Sequence, residues 1–398
     1  MSQPDDRVSY FGLTNHRQKN ILFGIKQADR LQHMYIIGKT GVGKSTLMEV
    51  LIRQDIAAGR GCALIDPHGD LAERLHAYAE AITPGRAIYL DAADMSQPYG
   101  YNPLRRVRYD KIPLAVSGFI DTLRKLWPEA WGVRMEHVLR NSLYALLEQP
   151  TATLPDMLRL YSDEKYRKGV AKGLRNEVVR RFWQDEFEKY PDRLKAEAVA
   201  PIQNKLGAIL TDPRLHRILV SPQTDIRFRQ VMDTGGALIV NLAKGRLGED
   251  STNILGGLIV STIGLAALSR AESPPDVRRP FFLYVDEFQT FTTFAFVNMM
   301  AELRKYGVGL VLAHQHLHQL EQDVRHAIFG NAGSLISFRI GVEDAAIVSR
   351  EFQLNFDVED LLNIDNHNVY LRLMIGGSPS KPFSAISFKI PMAENEKY

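Results

Sequence analysis

Gly38-Lys39-Thr40-Gly41-Val42-Gly43-Lys44-Ser45-Thr46 is the stretch that decides the fold. From Gly38 to Ser45 it fits the phosphate-loop pattern G-x-x-x-x-G-K-[ST]. Glycines allow the backbone N–H groups to turn inward around an anion. A helix starting at the end of the loop aims its positive end at the same anion. Lys44 is placed to reach the β- and γ-phosphates of ATP, and the Ser45 hydroxyl to hold Mg²⁺. The flanks agree with this reading. His33-Met34-Tyr35-Ile36-Ile37 is a short apolar strand entering the loop. Leu47, Val50, Leu51, Ile52 and Ile56 recur at helical spacing behind it, and Gly59 closes that helix. An accidental Lys-Ser pair in a glycine-rich turn would have neither flank.

The chain has 398 residues, 45% of them hydrophobic. That is enough for a large α/β domain and a smaller second one. A net charge of +3 selects no class of partner. Cys62 is the only cysteine, so an internal disulfide is excluded. Its place in the strand-like Cys62-Ala63-Leu64-Ile65 predicts a buried, inert thiol, which suits a reducing cytoplasm. Met1-Ser-Gln-Pro-Asp-Asp-Arg7 lacks the basic and apolar regions of a signal peptide. The longest apolar run, residues 254–268, is short of the roughly 18–20 residues that span a bilayer, and reads as a buried core helix. The expectation is a cytoplasmic protein with no transmembrane segment of its own.

Short β-rich runs recur at 34–37, 63–66, 87–91, 237–242, 281–286, 309–313 and 334–339. Their spacing predicts a parallel sheet with helical crossovers. Runs at 369–374 and 383–390 flank Gly376-Gly377-Ser378-Pro379 and read as a closing hairpin. Between Asn102 and Phe228 the pattern is helical instead. Met135, Val138, Leu139, Leu143 and Leu146 form one period, and Ala196, Val199, Ile202, Leu206 and Ile209 another, with prolines between. The predicted organisation is a nucleotide-binding core over 1–104 and 231–398, interrupted by an all-helical domain over 105–230.

Phe281-Phe-Leu-Tyr-Val-Asp286-Glu287 is an apolar run ending in two acids. A buried central strand delivers its last residues to the carboxyl edge of the sheet, where the phosphate loop also lies. Asp286 is then placed to hold Mg²⁺ through water, and Glu287 to polarise an attacking water as general base. Val308-Gly-Leu-Val-Leu-Ala313-His314-Gln315 is the next such strand. Gln315 can sense a γ-phosphate, or be a hydrogen-bonded strand-end amide. His314, His316 and His318 alternate, but no neighbouring cysteine or acid completes a metal site. Asp66-Pro-His-Gly-Asp70 reads as a loop that shapes the nucleotide edge or bonds its own backbone. Arg304 is either a solvated helix residue or a finger for a neighbouring subunit's γ-phosphate.

Lys165, Lys168, Lys172 and Arg175 are spaced for one helical face. Arg105, Arg106 and Arg108 form a second basic cluster. Such groups suit the phosphate backbone of DNA without sequence reading, or else a plain solvated face. Phe288, Phe291, Phe294 and Phe296 read as core packing rather than a base-stacking channel. No Asn-Lys-x-Asp motif is present, which disfavours a guanine-specific switch.

Taken in order, Ile36 to Thr46, Leu64-Ile-Asp-Pro-His-Gly-Asp70, Tyr101-Asn-Pro-Leu104, Trp131-Gly-Val-Arg-Met-Glu136, Val240-Asn-Leu-Ala-Lys-Gly245, Tyr284-Val-Asp-Glu-Phe288 and Gly330-Asn-Ala-Gly333 resemble the HerA–FtsK superfamily of DNA-pumping ATPases. Within it the sequence resembles the TraG/TraD-type coupling proteins of conjugation and type IV secretion. The resemblance implies a RecA-like P-loop core with an inserted all-α domain and a homo-oligomeric ring, a hexamer, around DNA. It also implies a catalytic glutamine at Gln315 and an arginine finger at Arg304. The expected activity is ATP hydrolysis that drives DNA translocation. The alternative is an ATP-dependent docking adaptor that recruits protein or nucleoprotein substrates to a secretion apparatus. Membrane-bound members of that family carry transmembrane helices ahead of the core. Without them, a membrane or relaxase-type protein partner would bring this chain to the inner face of the membrane.

Overall fold

The structure is a computed structural model, and it describes residues 8–15, 20–291, 294–353 and 355–389. One unit comprises residues up to 89 together with 228–242 and 266–398; a second comprises 90–227 and 243–265.

The first unit is built on an eleven-stranded sheet. Its strands are β1 (Val8–Thr14), β2 (Leu22–Lys26), β3 (Met34–Ile37), β4 (Gly61–Asp66), β5 (Ala87–Asp91), β6 (Ala237–Asn241), β7 (Phe281–Val285), β8 (Val308–His314), β9 (Ser334–Ser337), β10 (Asn368–Arg372) and β11 (Phe383–Ser387). Their order is β2-β1-β11-β10-β9-β3-β8-β7-β4-β6-β5. From β9 through β6 neighbouring strands are parallel. From β9 out to β2 they are antiparallel. All residues of β3, β7 and β8 are buried, because helices cover both faces of a parallel sheet and leave no face for polar side chains. Met34 and Ile36 pack in one core with Leu47 and Leu51 of helix α1 (Lys44–Ala57) and with Leu75 and Ala79 of α2 (Asp70–Ile82).

The predicted parallel strands are all present, with ends shifted by one or two residues. β1 and β2 carry no signal that sequence reading found. Each holds a glycine, and a register shift between Tyr10 and Gly12 breaks the alternation that marks an amphipathic strand. The closing hairpin is present as β10 and β11; Ile390, its expected last residue, lies outside the described residues, as do Met1 to Arg7.

One fully buried polar cluster lies under the sheet. Arg30 donates to both carboxylate oxygens of Asp55 on α1, at 2.8 and 2.8 Å. The Tyr284 hydroxyl on β7 donates to the same carboxylate at 2.6 Å. The Arg30 guanidinium also lies 3.7 Å from the centre of the Phe282 ring. Asp55 therefore fixes the phosphate-loop helix to the strand that leads to Asp286.

The second unit is helical, with α3 (Ile112–Leu126), α4 (Val133–Leu147), α5 (Leu154–Ser162), α6 (Glu164–Lys172) and α7 (Asp192–Thr211). Both predicted apolar periods face inward on α4 and α7, except Ala196, which is exposed. Two short strands, Tyr99–Gly100 and Thr224–Asp225, pair in parallel, a contact too brief to leave a pattern. The apolar run at 254–268 lies in α8 (Glu249–Ser269). With its following turn this is the one helix, among the described residues, long and apolar enough to cross a membrane, and 72% of the qualifying window is buried in the protein. Phe288, Phe291 and Phe296 are buried core residues; the Phe294 side chain lies outside the described residues.

Candidate nucleotide site

β3 ends at Ile37 and the chain turns at once into the loop Gly38–Thr46. Gly41 and Gly43 take φ of 76° and 121°, values that a side chain would resist. α1 begins at Lys44, so its free N–H groups face the loop. The loop is tied down on both sides. Gly38 N donates to His314 O at 3.2 Å on the β8 side, and Lys39 N donates to Arg339 O at 2.8 Å beyond β9. The Lys44 ammonium is inside the loop, donating to Gly38 O at 2.6 Å and Lys39 O at 3.0 Å. Burial draws its pKa down, against the pull of Asp286 and Glu287.

β7 brings the acids to the same edge. Ser45 Oγ donates to Asp286 Oδ2 at 3.2 Å. Asp286 is 5% exposed. Burial, then the nearby charges of Asp66 and Glu287, pushes its carboxyl up to about 6. A hydroxyl and a carboxylate at this spacing are hard oxygen donors of the kind Mg²⁺ takes, and a cation there would relieve the crowding of negative charge. Asp66 itself accepts from His68 N and Ala72 N, each at 2.9 Å, which is the local backbone bonding expected of its loop.

Glu287 follows with left-handed backbone angles, φ 46° and ψ 48°. A non-glycine residue there is strained, and such strain persists where the surroundings hold it. Here two amides do so. Gln289 Nε2 donates to Glu287 Oε2 at 2.7 Å, and Gln315 Nε2 donates to Oε1. Gln315 Oε1 in turn accepts from Thr40 Oγ1 at 2.8 Å. The phosphate loop, Gln315, Glu287 and Gln289 thus form one hydrogen-bonded chain. Such a carboxylate, held at the edge of the loop, is suited to orienting and deprotonating a water.

The structure brings Lys44, Ser45, Asp286, Glu287 and Gln315 together, with the loop residues Lys39, Thr40 and Val42 around them. It sets Arg304 elsewhere. The expected helix stops at Leu303, and Arg304 starts a 3-10 turn. Its guanidinium donates to Gln32 Oε1 at 3.2 Å, before the first residue of β3. The loop lies past the last one, so about 13 Å of strand separates the two ends.

Among the described residues the histidines form no metal-holding group, although the His316 and His318 rings stack at 5.4 Å. His314 Nδ1 is 2.8 Å from the Tyr35 hydroxyl, and burial pushes its pKa down to about 3, so the ring is neutral. His316 pairs with Asp344.

The basic stripe is only partly as expected. α6 ends at Lys172 with Gly173 as its cap, so Arg175 is off the helical face. It lies instead with Arg106 and Arg108 around a cleft of about 610 Å³. Lys165 and Lys172 are exposed, while Lys168 pairs with Glu164 and Arg167 with Glu188.

Sequence reading missed Thr40 as a partner of Gln315, Gln289 as a clamp on Glu287, and Arg339 as an anchor of the loop. No spacing rule carries such contacts: Thr40–Gln315 and Lys39–Arg339 join segments far apart in the chain, and Gln289 reaches Glu287 only because of that residue's left-handed backbone.

The family profile for the type IV secretion-system coupling protein DNA-binding domain matches residues 23–351. Among curated proteins, none matches the sequence. In solved structures the chain is similar to the bacterial conjugative coupling protein TrwBΔN70 in an unbound form, with 14% identity and a TM-score of 0.68, covering 100% of this chain and 92% of that one. It is similar to plasmid coupling protein TrwB in complex with ADP and Mg²⁺, with 15% identity and a TM-score of 0.64 over 100% and 92%. It is also similar to VirB4 of Thermoanaerobacter pseudethanolicus, with 14% identity and a TM-score of 0.65 over 98% and 98%. At such identities the likeness is one of fold: a RecA-like core with a mostly parallel sheet and an inserted helical domain.

Proposed function

The chain belongs to the TraG/TraD-type coupling proteins of type IV secretion, in the family described by their DNA-binding domain, and from that premise we propose that it hydrolyses ATP to drive DNA through a ring of identical subunits. The observation that carries this reading is the Thr40–Gln315–Glu287 chain beside Ser45 and Asp286. It joins phosphate-binding residues to a held carboxylate. Lys44 and the loop N–H groups bind the β- and γ-phosphates. Ser45 and Asp286 hold Mg²⁺, which when bound neutralises charge on the phosphate oxygens. Glu287 takes a proton from the attacking water, and Gln315 orients that water against the γ-phosphate.

Arg304 acts in trans. Its side chain sits at the amino edge of the sheet, too far from its own loop, whereas head-to-tail contacts in a closed ring present it to a neighbour's γ-phosphate. DNA meets the helical unit through phosphate contacts at Lys165, Lys168, Lys172 and Arg175, which read no sequence. A membrane or relaxase-type protein partner supplies the link to a secretion apparatus, and the protein works in the cytoplasm or at the inner membrane face.

The test is the ATPase rate with and without single- and double-stranded DNA, with native mass measured in parallel. DNA-stimulated turnover by a hexamer is expected. Slow hydrolysis indifferent to DNA would favour the docking adaptor.

A further inference from the structure

Arg304 stands on a turn that is held more firmly than its length requires. The helix Phe294–Leu303 ends beside it, Arg304–Tyr306 make one 3-10 turn, and Gly307, with φ 73°, delivers the chain into β8. A helix end at the surface leaves carbonyls that water can satisfy as well as protein does. Here every carbonyl from Arg304 to Gly307 has a protein donor. Arg304 O accepts from Gly307 N at 3.0 Å, and Gly307 O from Phe281 N at 2.9 Å. Lys305 O accepts from Arg278 Nη1 at 2.6 Å, and Tyr306 O from Arg270 Nη1 at 3.0 Å. We infer that Arg270 and Arg278 are positioning residues for Arg304, fixing the backbone from which it reaches a neighbouring subunit's γ-phosphate. The inference rests on the trans-arginine reading above and names what aims that side chain.

The two supports are themselves anchored. Arg270 is fully buried. Its Nη2 donates to Arg279 O at 2.7 Å and its Nε to Asp233 Oδ1 at 3.1 Å, so the guanidinium has one orientation. Arg278 is half-buried, and its Nε and Nη2 donate to Ser273 O at 2.9 and 2.6 Å. A rigid fork spanning Ser273 O and Lys305 O staples the segment leading into β7 onto the turn leading into β8.

Two of the turn's three side chains are engaged locally. Lys305 pairs with Glu302 at 2.9 Å, and the Tyr306 ring centre lies 5.4 Å from the Arg278 guanidinium. The third, Arg304, is exposed, and its bond to the Gln32 amide is long at 3.2 Å. The backbone is fixed while the guanidinium is available. A group acting on another subunit's phosphate requires that combination, because a misplacement of about 1 Å can cost ~10²-fold in rate.

Arg278→Ala is the variant to make, since truncating the fully buried Arg270 would disturb the core. Urea stability, native mass, calorimetric ATP affinity and turnover are measured. Turnover is also measured in mixtures with Lys44→Ala and with Arg304→Ala, once subunit exchange is demonstrated. The variant should fold, assemble and bind ATP as wild type does, while turnover falls at least ~10-fold. Mixed with Lys44→Ala it should regain activity, because its intact loop then faces a well-aimed arginine. Mixed with Arg304→Ala it should stay inactive, because neither subunit supplies one. The reverse pattern would place the defect in the variant's own loop and overturn the inference. A smaller fall in turnover, altered ATP affinity or lost assembly would overturn it too. Arg278→Lys, which keeps the charge and loses the fork, is read by the same criteria if the alanine variant does not fold. An Arg304→Ala protein that still turns over removes the trans-arginine reading and this inference with it. An inactive Arg304→Ala beside an active Arg278→Ala overturns this inference alone.

Discussion

Thr40 and Gln315, 275 positions apart in the chain, share a hydrogen bond of 2.8 Å. Thr40 belongs to the loop that grips phosphate, and Gln315 is also bonded to the carboxylate of Glu287. Any ligand that draws Thr40 or Gln315 toward itself must alter how Glu287 is held. Binding and chemistry are therefore mechanically linked through one amide.

Glu287→Gln keeps the size of the side chain and removes its basicity. ATP should still bind, and turnover should fall at least ~10²-fold, a general base commonly contributing that much. Lys44→Ala should fold normally and lose hydrolysis, since its partners are loop carbonyls rather than core groups. Nucleotide titration and steady-state rates check both. Weak ATP binding by Glu287→Gln would contradict the role given to it.

Asp286 links stability to pH. Its carboxyl is pushed from 3.8 up to about 6 in the fold, so the folded state holds its proton more tightly than the unfolded chain does. Between about pH 4 and 6 the native state binds more protons, and stability falls as pH rises. The shift corresponds to roughly 3 kcal/mol. Without nucleotide, Asp286→Asn should stabilise the protein by up to about that amount at pH 7.5 and by little at pH 4. Urea denaturation at the two pH values measures the difference; an equal effect at both would show that ionisation is not its source.

Arg304→Ala should spare ATP affinity and abolish turnover, a trans arginine contributing about 10³–10⁵ in rate. Mixed with Lys44→Ala it should regain some activity, because a mixed ring restores an intact loop facing an intact arginine. If subunit exchange is demonstrated and the mixture stays inactive, Arg304 is not the finger.

Charge removal at Lys165, Lys168 and Lys172 should weaken DNA binding equally for all sequences. The slope of log affinity against log salt should shrink by roughly 0.7–0.9 per lost phosphate contact. Because Lys168 already pairs with Glu164, the loss should come mainly from the other two. An unchanged slope would return the stripe to an ordinary solvated face.

The parallel strands and the loop were legible because each rests on a local rule. Apolar runs of four to seven residues mark buried strands, and glycine spacing marks the phosphate loop. Asp286 and Glu287 were legible because a strand end fixes where its next residues go. The rest depends on contacts made only after folding. Gly173 is itself a helix-stop signal, which the even spacing of the stripe overrode, and nothing in the sequence says that Arg106 lies near Arg175. The strained angles of Glu287 are equally silent, since they arise from amides at 289 and 315. β1 and β2 form because β11 offers an edge, and their own patterns are broken by glycine.

The Arg30–Asp55–Tyr284 cluster has a historical consequence. Losing Asp55 strands the buried Arg30 guanidinium, at about 3–5 kcal/mol for a broken buried ion pair, against a total stability of about 5–15 kcal/mol for a domain, whereas losing Arg30 leaves Asp55 paired with Arg60 at 2.8 Å. Replacing all three with well-packed apolar side chains can be neutral or better. The path out that begins at Asp55 therefore crosses a deep trough, while the destination does not. Related chains should keep Asp55 wherever they keep Arg30, and the persistence of the pair would record the difficulty of leaving rather than any service to the chemistry two residues beyond Tyr284.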